Sequence, residues 1–255
     1  MTAEEKTSLA RFLDLAAASA KGGYLCHETK CNFYDDPPQY AAGAFPQGTT
    51  EKPQTLEQGA GPTPDPLPAD TLEKIAEEIN NCSLCRLCET RKKTVPGEGA
   101  ASPLVMVIGE GPGKDEDASG RPFVGVAGQL LDKMLASIFL SRESNCFIAN
   151  IVKCRPPSNR DPLPDETAFC RPYLERQIQV LKPRFILCAG RIAAQTLLRT
   201  TEPIGRLRGK FTALEIGSIE VPFIATYHPS ALLRNEDLKR PAWEDLKLLR
   251  SAIDG

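Results

Sequence analysis

Residues 104–125 read LVMVIGEGPGKDEDASGRPFVG. The opening run LVMVIG has no polar member, as expected of a strand buried on both faces. The glycines and carboxylates that follow cannot be packed into a core, so the chain must leave the sheet near Gly109. Three further apolar runs repeat the pattern: CFIANIVK (146–153), RFILCAG (184–190) and VPFIATYH (221–228). Between and after them, GQLLDKMLASIFL, DETAFCRPYLERQIQVL, RIAAQTLLR and EDLKRPAWEDLKLLRSAI carry apolar residues at helical spacing. Strands alternating with helices predict a three-layer α/β/α domain around a central four-stranded parallel sheet. Ligands of such sheets bind beyond the carboxyl ends of the strands, where GEGPG, NIVKCRPP and HPSALLRN fall. These three loops are expected to line one cleft.

The amino-terminal part reads differently. Residues 3–20 have the spacing of a short amphipathic helix, but residues 35–70 are rich in Pro and Gly without an apolar period, the composition of a linker. We therefore divide the chain into an extension, 1–70, and a folded domain, 71–255, with Asp70 as the expected N-cap of the helix that begins the domain. The net charge of −2 hides an asymmetry, because residues 71–255 carry 26 basic and 23 acidic side chains. No apolar run approaches the length of a membrane span, and the acidic amino terminus is unlike a secretory signal. A cytoplasmic monomer without membrane contact is expected.

Nine cysteines in a chain of this size, an odd number, favour metal ligation over a disulfide framework. Cys82, Cys85 and Cys88 cluster in NCSLCRLC, while Cys154 and Cys170 lie far downstream beside basic and proline residues. Four thiolates from two such pairs suit zinc or an iron–sulfur cluster, and spacing alone does not choose. Cys146 and Cys188 fall inside strand runs and read as core thiols. Cys26 and Cys31 read as plain thiols of the extension.

A strand followed by GEGPG invites a phosphate-binding interpretation, which fails in detail. Gly109, Gly111 and Gly113 lead into KDEDASGRPF, with no helical pattern before about Gly125, and neither the GxGxxG–helix junction nor the GK[ST] of a P-loop is present. Carboxylates here would also repel phosphate. They suit the positioning of a water or the stabilisation of a developing cation, and Glu110, wedged between glycines, is the foremost candidate. Asp115 and Asp117 read as a solvated acidic turn. Of the two histidines, His27 lies in the extension, whereas His228 ends a strand and precedes Pro229, a position that aims it into the cleft.

With these residues together, the chain resembles the bacterial and archaeal iron–sulfur (family 4) uracil-DNA glycosylases. The likeness rests on GEGPGKDEDASGRPFVGVAGQLLD, NIVKCRPPSNRDPLPDE, the CxxC of NCSLC and HPSALLRN, and covers about residues 72–250. It implies that Cys82, Cys85, Cys154 and Cys170 hold a [4Fe–4S] cluster, leaving Cys88 surplus, with Cys85 and Cys88 as a fallback first pair. It also implies that uracil-containing DNA is the partner, flipped so that Phe123 stacks on the base, Asn150 reads its edge, and Gly111 and Pro112 line the pocket. Glu110 and Glu116 would position water and steady the sugar cation, His228 would sit by O2 of the leaving base, and Leu232 would fill the gap in the duplex beside Arg234. Lys153, Arg155, Arg160, Arg206, Arg208 and Lys210 are further candidates for tracking phosphates. A backbone donor is expected to hold the Asn150 amide in one orientation. The extension has no counterpart in the resemblance. Two other classes are compatible with the fold: a catalytically silent iron–sulfur DNA-binding module, and an electron carrier. The cleft's Asn, His and carboxylates argue against both.

Overall fold

The computed structural model describes residues 70–255. The helix expected over 3–20 and the linker over 35–69 lie outside the described residues. The first helix, α1 (Leu72–Asn80), buries Ile75 and Ile79 one turn apart. Its cap is Thr71, whose Oγ1 accepts from the backbone N–H of Lys74 at 3.2 Å, so the expected cap, Asp70, is displaced by one residue. Asp70 instead pairs with Arg176 at 2.7 Å, tying α1 to a helix far along the chain.

The sheet holds the expected four parallel strands and two more. In chain order the strands are β1 (Glu98–Gly99), β2 (Val105–Gly109), β3 (Cys146–Asn150), β4 (Phe185–Ala189), β5 (Phe211–Ile216) and β6 (Ile219–Thr226), arranged β1-β3-β2-β4-β6-β5. Strands β3, β2, β4 and β6 run parallel, while β1 and β5 pair antiparallel at the two edges. The edge strands escape an apolar-run criterion for opposite reasons. β1 is two residues long, and β5 alternates buried and exposed positions as a half-solvated strand does.

Alternate residues of the central strands face opposite layers. Met106, Ile108, Ala149, Ile186 and Cys188 pack with α4 (Pro164–Leu181) and α5 (Arg191–Leu198). Val105, Val107, Ile148, Leu187 and Ile224 pack with α3 (Val126–Ala136) and α8 (Lys239–Asp254). Apolar side chains on both faces of one strand are what a sandwiched parallel sheet requires. A short helix α6 (Ile204–Leu207) precedes β5.

Two short helices sit at the carboxyl ends of the strands. One, α2 (Lys114–Ser119), occupies the stretch expected to be without helix. Six residues give too few turns for an apolar stripe to appear, and Gly120, with φ of 82°, stops it at once. The other, α7 (Pro229–Arg234), begins immediately after His228.

Candidate active site and cysteine recess

The parallel strands end together, which brings Gly109 of β2 beside Asn150 of β3 in register. The missing side chain of Gly109 lets both neighbours pack against its backbone: a Cβ there would stand 2.5 Å from both Asn150 Oδ1 and Phe123 Cζ. The ring of Phe123 and the amide of Asn150 thus converge over a bare backbone. Phe123 is buried, and its ring centroid lies 5.6 Å from that of His228. Asn150 is 1% exposed, yet neither its Oδ1 nor its Nδ2 has a hydrogen-bond partner. The backbone donor expected to orient this amide is absent, because the space around it is taken by the Phe123 ring and the face of Gly109. A buried amide unsatisfied at both ends costs about 1–3 kcal/mol per group unless something arrives to pair with it. Between an aromatic face and a free amide, the fitting ligand is a flat heterocycle with a donor and an acceptor on one edge.

The carboxylates divide by environment. Glu110, half-buried directly after β2, has its pKa raised to about 7 by burial first and by the charge of Asp161 second, with Arg191 opposing. Asp161 and Arg191 are themselves paired at 2.6 Å. Glu116 is committed elsewhere: Oε1 accepts from the N–H groups of Val124 and Gly125 at 2.8 and 2.9 Å, and Oε2 from Gly113 at 3.0 Å. Three backbone donors make it a clasp for the loop and leave it poorly placed to serve a reacting sugar. Asp117, expected in solvent, is 2% exposed and accepts from the N–H of Lys92 at 2.8 Å, which pins the cysteine-bearing segment to α2.

His228 caps α7. Its Nδ1 accepts from the Ser230 N–H at 3.1 Å and lies 2.8 Å from Ser230 Oγ. A backbone N–H can only donate, so the ring proton of the neutral form resides on Nε2. Burial, aided by the charge of Arg234, pulls the His228 pKa down to about 4. The imidazole is therefore a neutral Nε2–H donor across the physiological range.

Several sequence expectations fail on burial and pairing. Leu232 is 0% exposed and belongs to the core beneath α7, so it is not available as a wedge. The Leu232 side chain faces inward because α7 places it one turn after its buried Pro229. Lys153 is 1% exposed and bridges the Asn150 carbonyl, at 3.0 Å, and Gln177 Oε1, at 2.7 Å. Arg160 is held by Glu166 and Arg208 by Asp245, so none of these three is a free phosphate contact. Lys92, Lys93, Lys210 and Arg234 are exposed, as is Arg206. Arg155 is half-buried and bonds Asn159 Oδ1 at 2.7 Å. Gly111 is half-buried and Pro112 buried, both directly after Glu110 in the pocket-forming loop.

On the far side of β3, a recess is lined by Cys82, Cys85, Cys88, Cys154 and Cys170. Among the described residues, no three His, Cys, Asp or Glu side chains already close on a common metal position. The donor set nevertheless fits a thiophilic group. Arg91 donates to Cys154 Sγ at 3.2 Å and to the Cys82 carbonyl at 2.7 Å, and the Lys153 N–H donates to Cys170 Sγ at 3.2 Å. Cationic and N–H donors aimed at sulfur are what bound thiolates need. Burial pushes the Cys170 thiol up to about 12, so a thiolate there needs positive partners, and a bound metal would supply one.

A family model described as the uracil DNA glycosylase superfamily matches residues 96–247. The chain is similar to the type-4 uracil-DNA glycosylase of Saccharolobus solfataricus, with 44% identity over 189 residues, 72% of this chain and 87% of that protein. It is 45% identical over 181 residues to the Pyrobaculum aerophilum protein of the same description, 69% of this chain and 92% of the relative. The corresponding figures for the Archaeoglobus fulgidus type-4 protein are 43% over 182 residues, 70% and 91%.

Proposed function

Because this chain belongs to the uracil DNA glycosylase superfamily, among its type-4 members, we infer that it removes uracil from DNA by hydrolysing the N-glycosidic bond, in DNA repair. The observation that carries this reading is the unsatisfied Asn150 amide beside the Phe123 ring. The nucleotide turns out of the stack, in single-stranded or duplex DNA, and the base stacks on Phe123 with its edge toward Asn150. Asn150 Nδ2 donates to O4 and Oδ1 accepts from N3–H, which satisfies both ends of the amide.

As the bond between C1′ and N1 breaks, its electron pair stays with the base and the sugar becomes cationic. His228 donates Nε2–H to O2, where the charge of the departing uracil collects, and this donor is more useful to the transition state than to the bound substrate. Glu110, as the carboxylate, faces the cationic sugar and takes a proton from the water whose oxygen bonds to C1′. An abasic site remains and uracil takes up a proton. Glu116 supports these steps by holding the loop that carries Phe123. Gly111 and Pro112 shape the wall, and Arg234 with the exposed cations named above meets phosphates.

We assign a [4Fe–4S] cluster to Cys82, Cys85, Cys154 and Cys170, with Cys88 as a neighbour in the same recess. When bound, the cluster ties the segment after α1 to the β3 loop and to α4, a structural contribution. Residues 71–255 form the catalytic unit of a cytoplasmic monomer, with 1–70 as an appended extension. Incubating the protein with a uracil-containing oligonucleotide and cleaving abasic sites with alkali tests the reading. Strand scission at uracil is expected, and an intact strand would overturn the assignment.

A further inference from the structure

Arg142 lies between α3 and β3, outside every motif that carries the family likeness, and only 8% of its side chain is exposed. All five of its N–H groups are used. Nε and Nη2 donate to Asp132 Oδ1 at 3.0 and 2.7 Å, and Nη1 donates to Glu98 Oε1 at 2.6 Å. The remaining two reach successive backbone carbonyls, Pro122 O from Nη1 and Phe123 O from Nη2, each at 2.9 Å. Two carboxylates thus offset the burial of the guanidinium, while its fork grips the chain at the pocket.

The gripped residue is unusual. Phe123 has φ of 52°, the left-handed region that an L side chain avoids. Its carbonyl lies so close to Gly128 that any Cβ there would collide with it. Immediately downstream, Glu116 takes the N–H groups of Val124 and Gly125. Four consecutive residues are therefore clamped from two sides, the carbonyls of Pro122 and Phe123 by Arg142 and the N–H groups of Val124 and Gly125 by Glu116. With the backbone in this conformation the ring packs on Gly109.

We propose that Arg142 is a positioning residue for base capture: it holds Phe123 in its left-handed conformation so that the stacking face of the pocket is formed before DNA arrives. This rests on the reading of Phe123 as the ring that stacks on the base. The fork matters more than the charge, because a single donor cannot serve both carbonyls. Without it the loop relaxes and the ring must be re-ordered in each turnover.

The test is a double-mutant cycle on the 255-residue chain, with uracil excision and inhibition by free uracil as readouts. Arg142→Met and Arg142→Lys are each expected to slow kcat/KM about 10- to 100-fold, the scale of a misplaced contact, and to weaken inhibition by uracil. In a Phe123→Ala background, the same changes should add no more than about twofold, because the group through which Arg142 acts is already gone. Any loss of thermal stability, by contrast, should persist in both backgrounds. Excision losses that multiply in the double mutant would overturn the proposal, as would an Arg142→Lys protein with parental excision and uracil inhibition. If Arg142→Met does not fold, Arg142→Lys carries the cycle. Parental excision by Phe123→Ala alone would instead remove the stacking reading itself.

Discussion

Glu110 after β2 and His228 after β6 have pKa values moved in opposite senses, about 7 and about 4, by the same cause, burial. For Glu110 the folded value exceeds the ordinary 4.5, so the folded chain binds the extra proton between those two values. The penalty of the buried carboxylate is absent below that window and complete above it. Glu110→Gln should therefore be more stable than the parent at pH 8, by about 1–2 kcal/mol after discounting for its partial exposure to solvent, and no more stable at pH 4. Urea melts at the two pH values check this, and an equal difference at both would refute it. Excision should fall as pH drops through about 7, and the neutral His228 should add no further limb between pH 5 and 8. Asn150→Asp replaces the donor to O4 by an acceptor. Uracil excision is expected to drop about 10- to 1000-fold, with trace excision of cytosine, whose N4 donates, while DNA binding is retained. Parental uracil excision by this variant would remove Asn150 from base reading.

At the scale of elements, the pocket is a consequence of strand register. β2 and β3 end in step, so that Gly109 and Asn150 are neighbours, and the loop from α2 to α3 closes over them. Gly109→Ala leaves the strand pairing intact but places a methyl 2.5 Å from the Asn150 amide and the Phe123 ring. Excision should be reduced by at least about 100-fold, the scale of a misplaced reactant, with DNA affinity little changed in a mobility-shift titration. An active Gly109→Ala enzyme would mean that the packing of Phe123 and Asn150 on Gly109 does not set the base site. α7 illustrates the opposite lesson. Its motif HPSALLRN suggests a wedge at Leu232, but the helical turn sends that side chain into the core, leaving Leu233 half-buried and Arg234 exposed on the other face.

For the whole molecule, the exposed cations Lys92, Lys93, Arg206, Lys210 and Arg234 give a way to measure how many phosphates are met. If three to five of them track the backbone, log affinity should fall linearly with log salt, with a slope of about −3 to −5. Fluorescence anisotropy across a salt series measures it, and a flat line would sever these residues from DNA binding. The cysteine recess joins three distant segments, so removing the cluster assigned to it should lower the melting temperature before it lowers the rate of excision at 25 °C. A chelated, colourless protein with unchanged melting would contradict the assignment.

The sequence by itself determined the parallel core, because a strand covered on both faces must be apolar throughout, and four such runs between helical stretches leave few other folds. It also placed Glu110, Asn150 and His228 at strand ends, since polar residues that close an apolar run have nowhere else to go. What it could not specify was which polar groups are already paired. Glu116, Lys153, Arg160 and Arg208 look as available in the sequence as Glu110 or Arg234, yet their partners lie on elements brought beside them only by folding. Arg142 was illegible for the same reason. Its five hydrogen bonds run to β1, to α3 and to the Phe123 loop, and only the tertiary structure brings those three together around one buried charge.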